Sequence, residues 1–217
     1  MKIMGLDVST QSTGWSVLKL IDNNISVVAY GLIRGEKTMS TIQRLHLLGN
    51  ELKKTIELHN PDEIGIEEIA FMRGPKILKV LSRFSGVAIF QVYSYKKKEP
   101  FFFEPPAWKK NLGISGSSLK AEVQVEICSR FNFLRQEQII KYKEDFNRIK
   151  ADTISIKLDG KKQGINKKDL SKKLKEFDKQ YEKISTDIYS DCGVNNDIAD
   201  SIGIALATIN EIKSSKN

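Results

Sequence analysis

Read for apolar and polar positions, the chain alternates between short apolar runs and longer amphipathic stretches. Lys2 to Val8 is an apolar run bounded by turn-forming residues and too brief for a stable helix, which predicts a buried strand. Strands around Trp15 to Leu20 and Ile25 to Leu32 follow, joined by the polar turn Asp22 to Asn24, so the N-terminus reads as a meander. From Ser40 to His59, Ile42, Leu45, Leu48, Leu52 and Ile56 recur at helical spacing until Asn60-Pro61-Asp62 stops the helix. The run EIGIEEIAF is a further short strand carrying Glu67 and Glu68. Pro75 then opens a helix with Ile77, Val80, Leu81, Phe84 and Ala88 on one face. Phe101 to Glu104 is a fifth strand, stopped by Pro105 and Pro106. Ser118 to Ile127 reads as a helix with a serine cap, and NNDIADSIGIALATINEI as a last helix capped by Asn195 or Asn196. The order predicts an α/β fold, a mixed five-stranded sheet flanked by helices.

A length of 217 residues at 40% hydrophobic supplies one good core, and residues 1–217 are read as a single domain. No apolar stretch has the length of a membrane span and MKIMGLD is unlike a signal peptide, so the expectation is a soluble, cytoplasmic protein with no membrane partner. Cys128 and Cys192 are far apart and lack CxxC spacing, which predicts two ordinary reduced thiols. The formal charge of +8 favours an anionic partner. Its distribution is informative: between Lys157 and Lys183 stand ten lysines against five acids, with sparse apolar residues. This stretch lies in a lysine-rich segment, about residues 137–190, that reads as a helical insertion before the last helix. It either grips backbone phosphates or forms a solvated hairpin.

The acids carry the chemistry. Asp7 stands where the first apolar run gives way to Ser, Thr and Gly, and an ionised carboxylate at a buried edge costs several kcal/mol unless compensated. It either caps that turn or belongs to a site. Asp197 and Asp200, three apart, share a face at the start of an apolar helix, where the helix dipole also favours acids as caps. Glu67 sits in a second apolar strand. Three separate elements thus bring an acid to a buried edge, and acids gathered in one place repel unless divalent cations sit between them. Oxygen-only ligation suits a hard ion, Mg²⁺ or Mn²⁺, and four carboxylates suffice for two ions of the kind that clamp the oxygens of a phosphodiester during hydrolysis.

GLDVSTQSTGWSV, PDEIGIEEIAFM and NNDIADSIGIALA resemble the three acidic motifs of the RuvC family of Holliday-junction resolvases. The resemblance implies an RNase H-like fold, a homodimer, and cleavage of four-way DNA with Asp7, Glu67, Asp197 and Asp200 as catalytic metal ligands. The family register counted from Pro61 selects Glu67, whereas counting back from Met72 selects Glu68. WKKNLGISGSSLKAEVQ resembles the family segment supplying two basic residues near the scissile phosphate, which implies Lys120 as catalytic and both Lys109 and Lys120 as DNA contacts. Phe71 is the candidate junction wedge, or else a core phenylalanine, with Arg73 beside it as a DNA contact. Lys167, Lys168, Lys172 and Lys173 of the insertion complete the DNA-binding set. Val8-Ser9 in place of the Pro-Gly usual in bacterial members, together with the long segment from Phe131 to Gly193, looks more like a phage-type RuvC-like enzyme, which would act in the host cytoplasm.

The competing readings are a flap or fork nuclease on the same fold, an actin-like ATP-binding protein, and a non-catalytic DNA-binding module. The chain lacks the length and the duplicated motif that an actin-like protein needs, and the presence of all four acids argues against a mere binder.

Overall fold

The three N-terminal apolar runs form an antiparallel meander of β1 (Lys2–Asp7), β2 (Ser12–Ile21) and β3 (Asn24–Arg34). β4 (Glu63–Glu67) and β5 (Phe101–Phe103) add parallel to β1 in turn, giving a mixed sheet of order β3-β2-β1-β4-β5. The computed structural model describes residues 1–69, 74–162 and 166–215. These divide into one unit of Met1–Ser118 with Asp197–Asn217, and another of Leu119–Asn196.

In the first unit, strand alternation sends side chains to two different layers. Met4, Leu6, Ile64 and Ile66 point into a core with Leu48, Leu52 and Ile56 of α1 (Thr41–His59) and Phe84, Ala88 and Val92 of α2 (Pro75–Lys96). α1 starts at Ser40, whose side chain and Gln43 form a reciprocal capping box, and ends at Asn60 in the left-handed conformation. The opposite face holds Gly5, Gly14 and Gly65. A Cβ at Gly5 would run into the carbonyl oxygen of Ser201, one at Gly14 into that of Asp197, and one at Gly65 into Oγ1 of Thr208. The absence of side chains there lets α7 (Asn196–Ser214) lie directly on the sheet.

The two prolines stop β5 as expected, and Pro105 also opens a short helix, α3 (Pro105–Asn111), that is not among the expected elements. Proline suits the first helical turn, where its missing N–H would be unbonded in any case. The α3 residue Trp108 is 1% exposed and packs against Gly203 of α7.

The second unit contains α4 (Lys120–Arg130), α5 (Gln136–Lys162) and α6 (Lys167–Cys192). The expected serine cap of α4 is corrected: Leu119 holds the cap position, and its N–H donates to the Glu122 carboxylate at 2.9 Å. α5 buries Ile139, Tyr142, Phe146 and Ile149, and α6 buries Phe177, Ile184 and Ile188, with Phe146 stacked on Tyr181. The fully buried Gln124 amide donates to the Val194 carbonyl at 2.8 Å and accepts from the Ser185 hydroxyl at 2.7 Å, fixing the end of this unit.

The two cysteines, expected to be reduced thiols, are free, and they lie with their sulfurs 3.2 Å apart. The contact with Cys128 brings the Cys192 thiol down to about 7, while the same contact and burial push Cys128 up. No helix of the described residues is long and apolar enough to cross a membrane.

Candidate active site

Asp7 closes β1 with the same strand parity as Gly5, so it faces the α7 side of the sheet, directly across from Gly14. Glu67 closes β4 with the parity of Gly65, one step beyond the Leu6 and Ile66 pair of the parallel ladder. Two strand ends therefore deliver two carboxyl groups side by side beneath the N-terminal turns of α7. Asp200, 7% exposed, comes from the helix above.

The electrostatics follow from this convergence. Burial, the charge of Asp7 and a hydrogen bond with it, and then the charge of Asp200 push the Glu67 carboxyl up to about 9. A contact from the Trp108 indole, short of a formed hydrogen bond, pulls the other way. A proton is thus retained by the coupled Glu67 and Asp7 pair at neutral pH. Glu68 stands apart: it is exposed, just past the end of β4, and its carboxylate accepts from the Ile69 N–H at 3.1 Å.

Asp197 is half-buried in the first turn of α7, with its backbone carbonyl against Gly14. It lines a cavity of about 670 Å³ together with Ser9 to Ser12, Arg34, Lys37 and Arg44. Among the described residues, no three acidic, histidine or cysteine side chains enclose an ion as they stand. The donor set itself is all oxygen, and burial with the charges of Asp7 and Asp200 keeps Glu67 from ionising, which is the crowding a hard divalent cation relieves. The residues present therefore fit such an ion.

The basic candidates differ in what they do. The Lys109 ammonium donates to the Ser118 carbonyl at 2.8 Å and lies over the Trp108 ring, so it pins the 112–118 loop. Lys120 is exposed at the start of α4, beside a second-unit cavity that includes Asp178, Glu182 and Ser185. Lys168, Lys172 and Lys173 are exposed on α6, and Lys167 is its first residue. Phe71 and Arg73 lie outside the described residues.

Sequence reasoning passed over Trp108, Arg34, Lys37 and Arg44. Proline at the start of α3 was the available signal for the helix that carries Trp108. The three cations reach their cavity from β3, the segment after it and α1, and no local pattern announces that convergence.

Residues 3–145 match the sequence profile of the family described as crossover junction endodeoxyribonuclease RuvC. A protein of that name from Wolbachia sp. subsp. Drosophila simulans is 37% identical over 89 residues, 41% of this chain and 55% of the relative. Another, from Alkaliphilus oremlandii, is 28% identical over 135 residues, 62% of this chain and 82% of the relative. The match thus spans little more than half the Wolbachia protein. Among solved structures, T. thermophilus RuvC in complex with Holliday junction substrate has a TM-score of 0.65 at 12% identity, covering 99% of this chain and 96% of that one. The fold is shared.

Proposed function

Since the chain belongs to the RuvC family of crossover junction endodeoxyribonucleases, we propose that it is a metal-dependent, structure-specific endonuclease that resolves four-way DNA junctions and cuts other branched DNA. The observation that carries the reading is the delivery of Asp7 and Glu67 by adjacent strand ends to the face covered by α7, where Asp200 is buried.

Family membership implies a divalent metal, and in this proposal Asp7, Glu67, Asp197 and Asp200 hold two Mg²⁺ ions, with Mn²⁺ able to substitute. Bound there, the ions would supply Lewis-acid charge at the scissile phosphate and lower the pKa of an attacking water. The chain's own part is to gather four oxygen donors, to release the proton that Glu67 and Asp7 retain, and to hold the carboxylates on rigid element ends. Lys120, joined by Lys109 in the same role, balances charge developing on the phosphate, and both contact DNA.

Lys167, Lys168, Lys172 and Lys173, with Arg73, grip backbone phosphates, and Phe71 is the junction wedge. In this reading residues 1–217 form one RNase H-like nuclease domain with an insertion at about 137–190. The protein acts as a homodimer in the cytoplasm, which for a phage-type enzyme is that of the host cell.

The test is incubation of end-labelled synthetic four-way junction, replication fork and linear duplex with the protein, with and without Mg²⁺. Paired, symmetric nicks in the junction that require Mg²⁺ are expected. Cleavage of the fork alone would favour a flap nuclease, and binding without cleavage in Mg²⁺ or Mn²⁺ would overturn the enzyme reading.

A further inference from the structure

The cavity that Asp197 lines carries three cationic side chains. Its floor is the segment that follows Asp7, where the Ser9 hydroxyl donates to the Ser12 carbonyl at 2.6 Å and accepts from the Ser12 N–H at 3.2 Å. Its walls are Arg34, at the end of β3, Lys37 just beyond, and Arg44 of α1. Asp197 and Glu36 are the acids among its lining residues. Arg44 is occupied: Nε and Nη2 donate to the Met39 carbonyl at 3.1 and 2.9 Å, and Nη1 reaches the Thr10 carbonyl at 3.5 Å. It ties the chain after β3 to the chain after β1, setting the cavity's width.

Arg34 and Lys37 are different. Both are exposed, and among the described residues neither has an ion-pair partner. The buried Ser12 hydroxyl, on the same cavity, has no hydrogen-bond partner either. Two exposed cations with no ion-pair partner among the described residues, on a cavity that shares a wall with Asp197, describe a site for an anion next to the acid cluster.

We propose that Arg34 and Lys37 hold a backbone phosphate of the strand being cut, a phosphate adjoining the scissile one, and so set which bond lies over the acids. A phosphodiester fits because its single charge is delocalised over two oxygens that a guanidinium and an ammonium share. A free nucleotide fits less well, because the cavity offers cations but no aromatic wall among its lining residues on which a base stacks. The inference rests on the nuclease reading above and assigns a strand-positioning role to residues that reading does not use.

The test crosses protein charge with phosphate charge. Junctions are made with a neutral methylphosphonate at each of the two phosphates on either side of the scissile one, and binding is measured in EDTA, cleavage in Mg²⁺. For the wild-type protein, one neutral position weakens binding by about tenfold, the low end for hydrogen bonds to charged groups, and moves or slows the cut. In the Arg34→Ala/Lys37→Ala double variant the same neutral position has less than about twofold further effect, while Arg34→Lys recovers part of the sensitivity. Equal sensitivity in wild type and double variant overturns the proposal. A wild-type protein that cuts no branched DNA overturns the nuclease reading instead, and the binding half of the cycle still decides whether these cations contact phosphate. Both side chains are exposed, so folding is retained, and an unchanged melting curve for the double variant checks this.

Discussion

The acids of the first unit and the lysines of the second carry similar unit charges in opposite surroundings. Asp7 and Asp200 are 9% and 7% exposed and lie within reach of Glu67, whose carboxyl burial and their charges make harder to ionise. Lys168, Lys172 and Lys173 stand in water along α6, where the buried residues are apolar. Burial turns charge into a requirement for a specific partner, whereas solvated charge acts at a distance and is weakened by salt. In the proposed function, the first region serves chemistry at a point, and the second affinity spread over a surface.

The comparison breaks most visibly at Asp7. Asp7→Asn lowers junction cleavage by at least about a hundredfold, the scale of losing one preorganised electrostatic stabiliser, while binding and melting temperature hold, because a repulsive charge has been removed. Unfolding of this variant, measured by circular dichroism, would make Asp7 a structural cap. Next comes the packing that assembles the acids. Gly5→Ala places a methyl against the Ser201 carbonyl and destabilises the protein by about 1–3 kcal/mol, the cost of overpacking, which denaturant melts would record.

A smaller effect sharpens the other side of the contrast. Replacing Lys167, Lys168, Lys172 and Lys173 by Ala weakens binding to junction, fork and duplex alike without moving the cut. The slope of log affinity against log salt becomes shallower by about 0.9 for each phosphate that is no longer neutralised. An unchanged slope would make α6 a solvated face only. The smallest effect is on the thiols: mild peroxide joins Cys128 to Cys192 and removes both from an Ellman count, with no change in where DNA is cut. Two thiols surviving the oxidant would refute the pairing.

How much was legible in the sequence follows the same division. Short apolar runs announced β1 to β5, helical spacing announced α1 and α2, and apolar residues on several sides announced α7, which is buried throughout from Ile198 to Ile209. The glutamate pair is separated by position as well as parity, since β4 ends at Glu67 and Glu68 already belongs to the following loop. The two prolines end β5, as expected, and their geometry also suits the start of α3, which no apolar spacing announced. In α6 the lysines drew attention from an apolar seam of Leu170, Leu174, Phe177, Tyr181, Ile184 and Ile188, which keeps a steady three-and-four spacing. The cysteine contact and the Arg34 and Lys37 cavity join residues far apart in the chain, and local pattern carries no information about such meetings.

The proposed function requires that Asp7, Glu67 and Asp200 form a mutually repelling set that a divalent cation relieves. Glu67 takes up its proton more readily folded than unfolded, rising from 4.5 to about 9, so folding binds the proton and stability falls as pH climbs between those values. The direct measurement is the melting temperature of wild type and Glu67→Gln from about pH 5 to about pH 9 in EDTA, repeated with Mg²⁺. Wild type should lose stability with rising pH in EDTA and regain it with Mg²⁺, whereas Glu67→Gln should be flatter, melt higher than wild type at the alkaline end and respond little to the metal. A Glu67→Gln curve that parallels wild type, lies below it at every pH, or gains as much from Mg²⁺ would contradict the account.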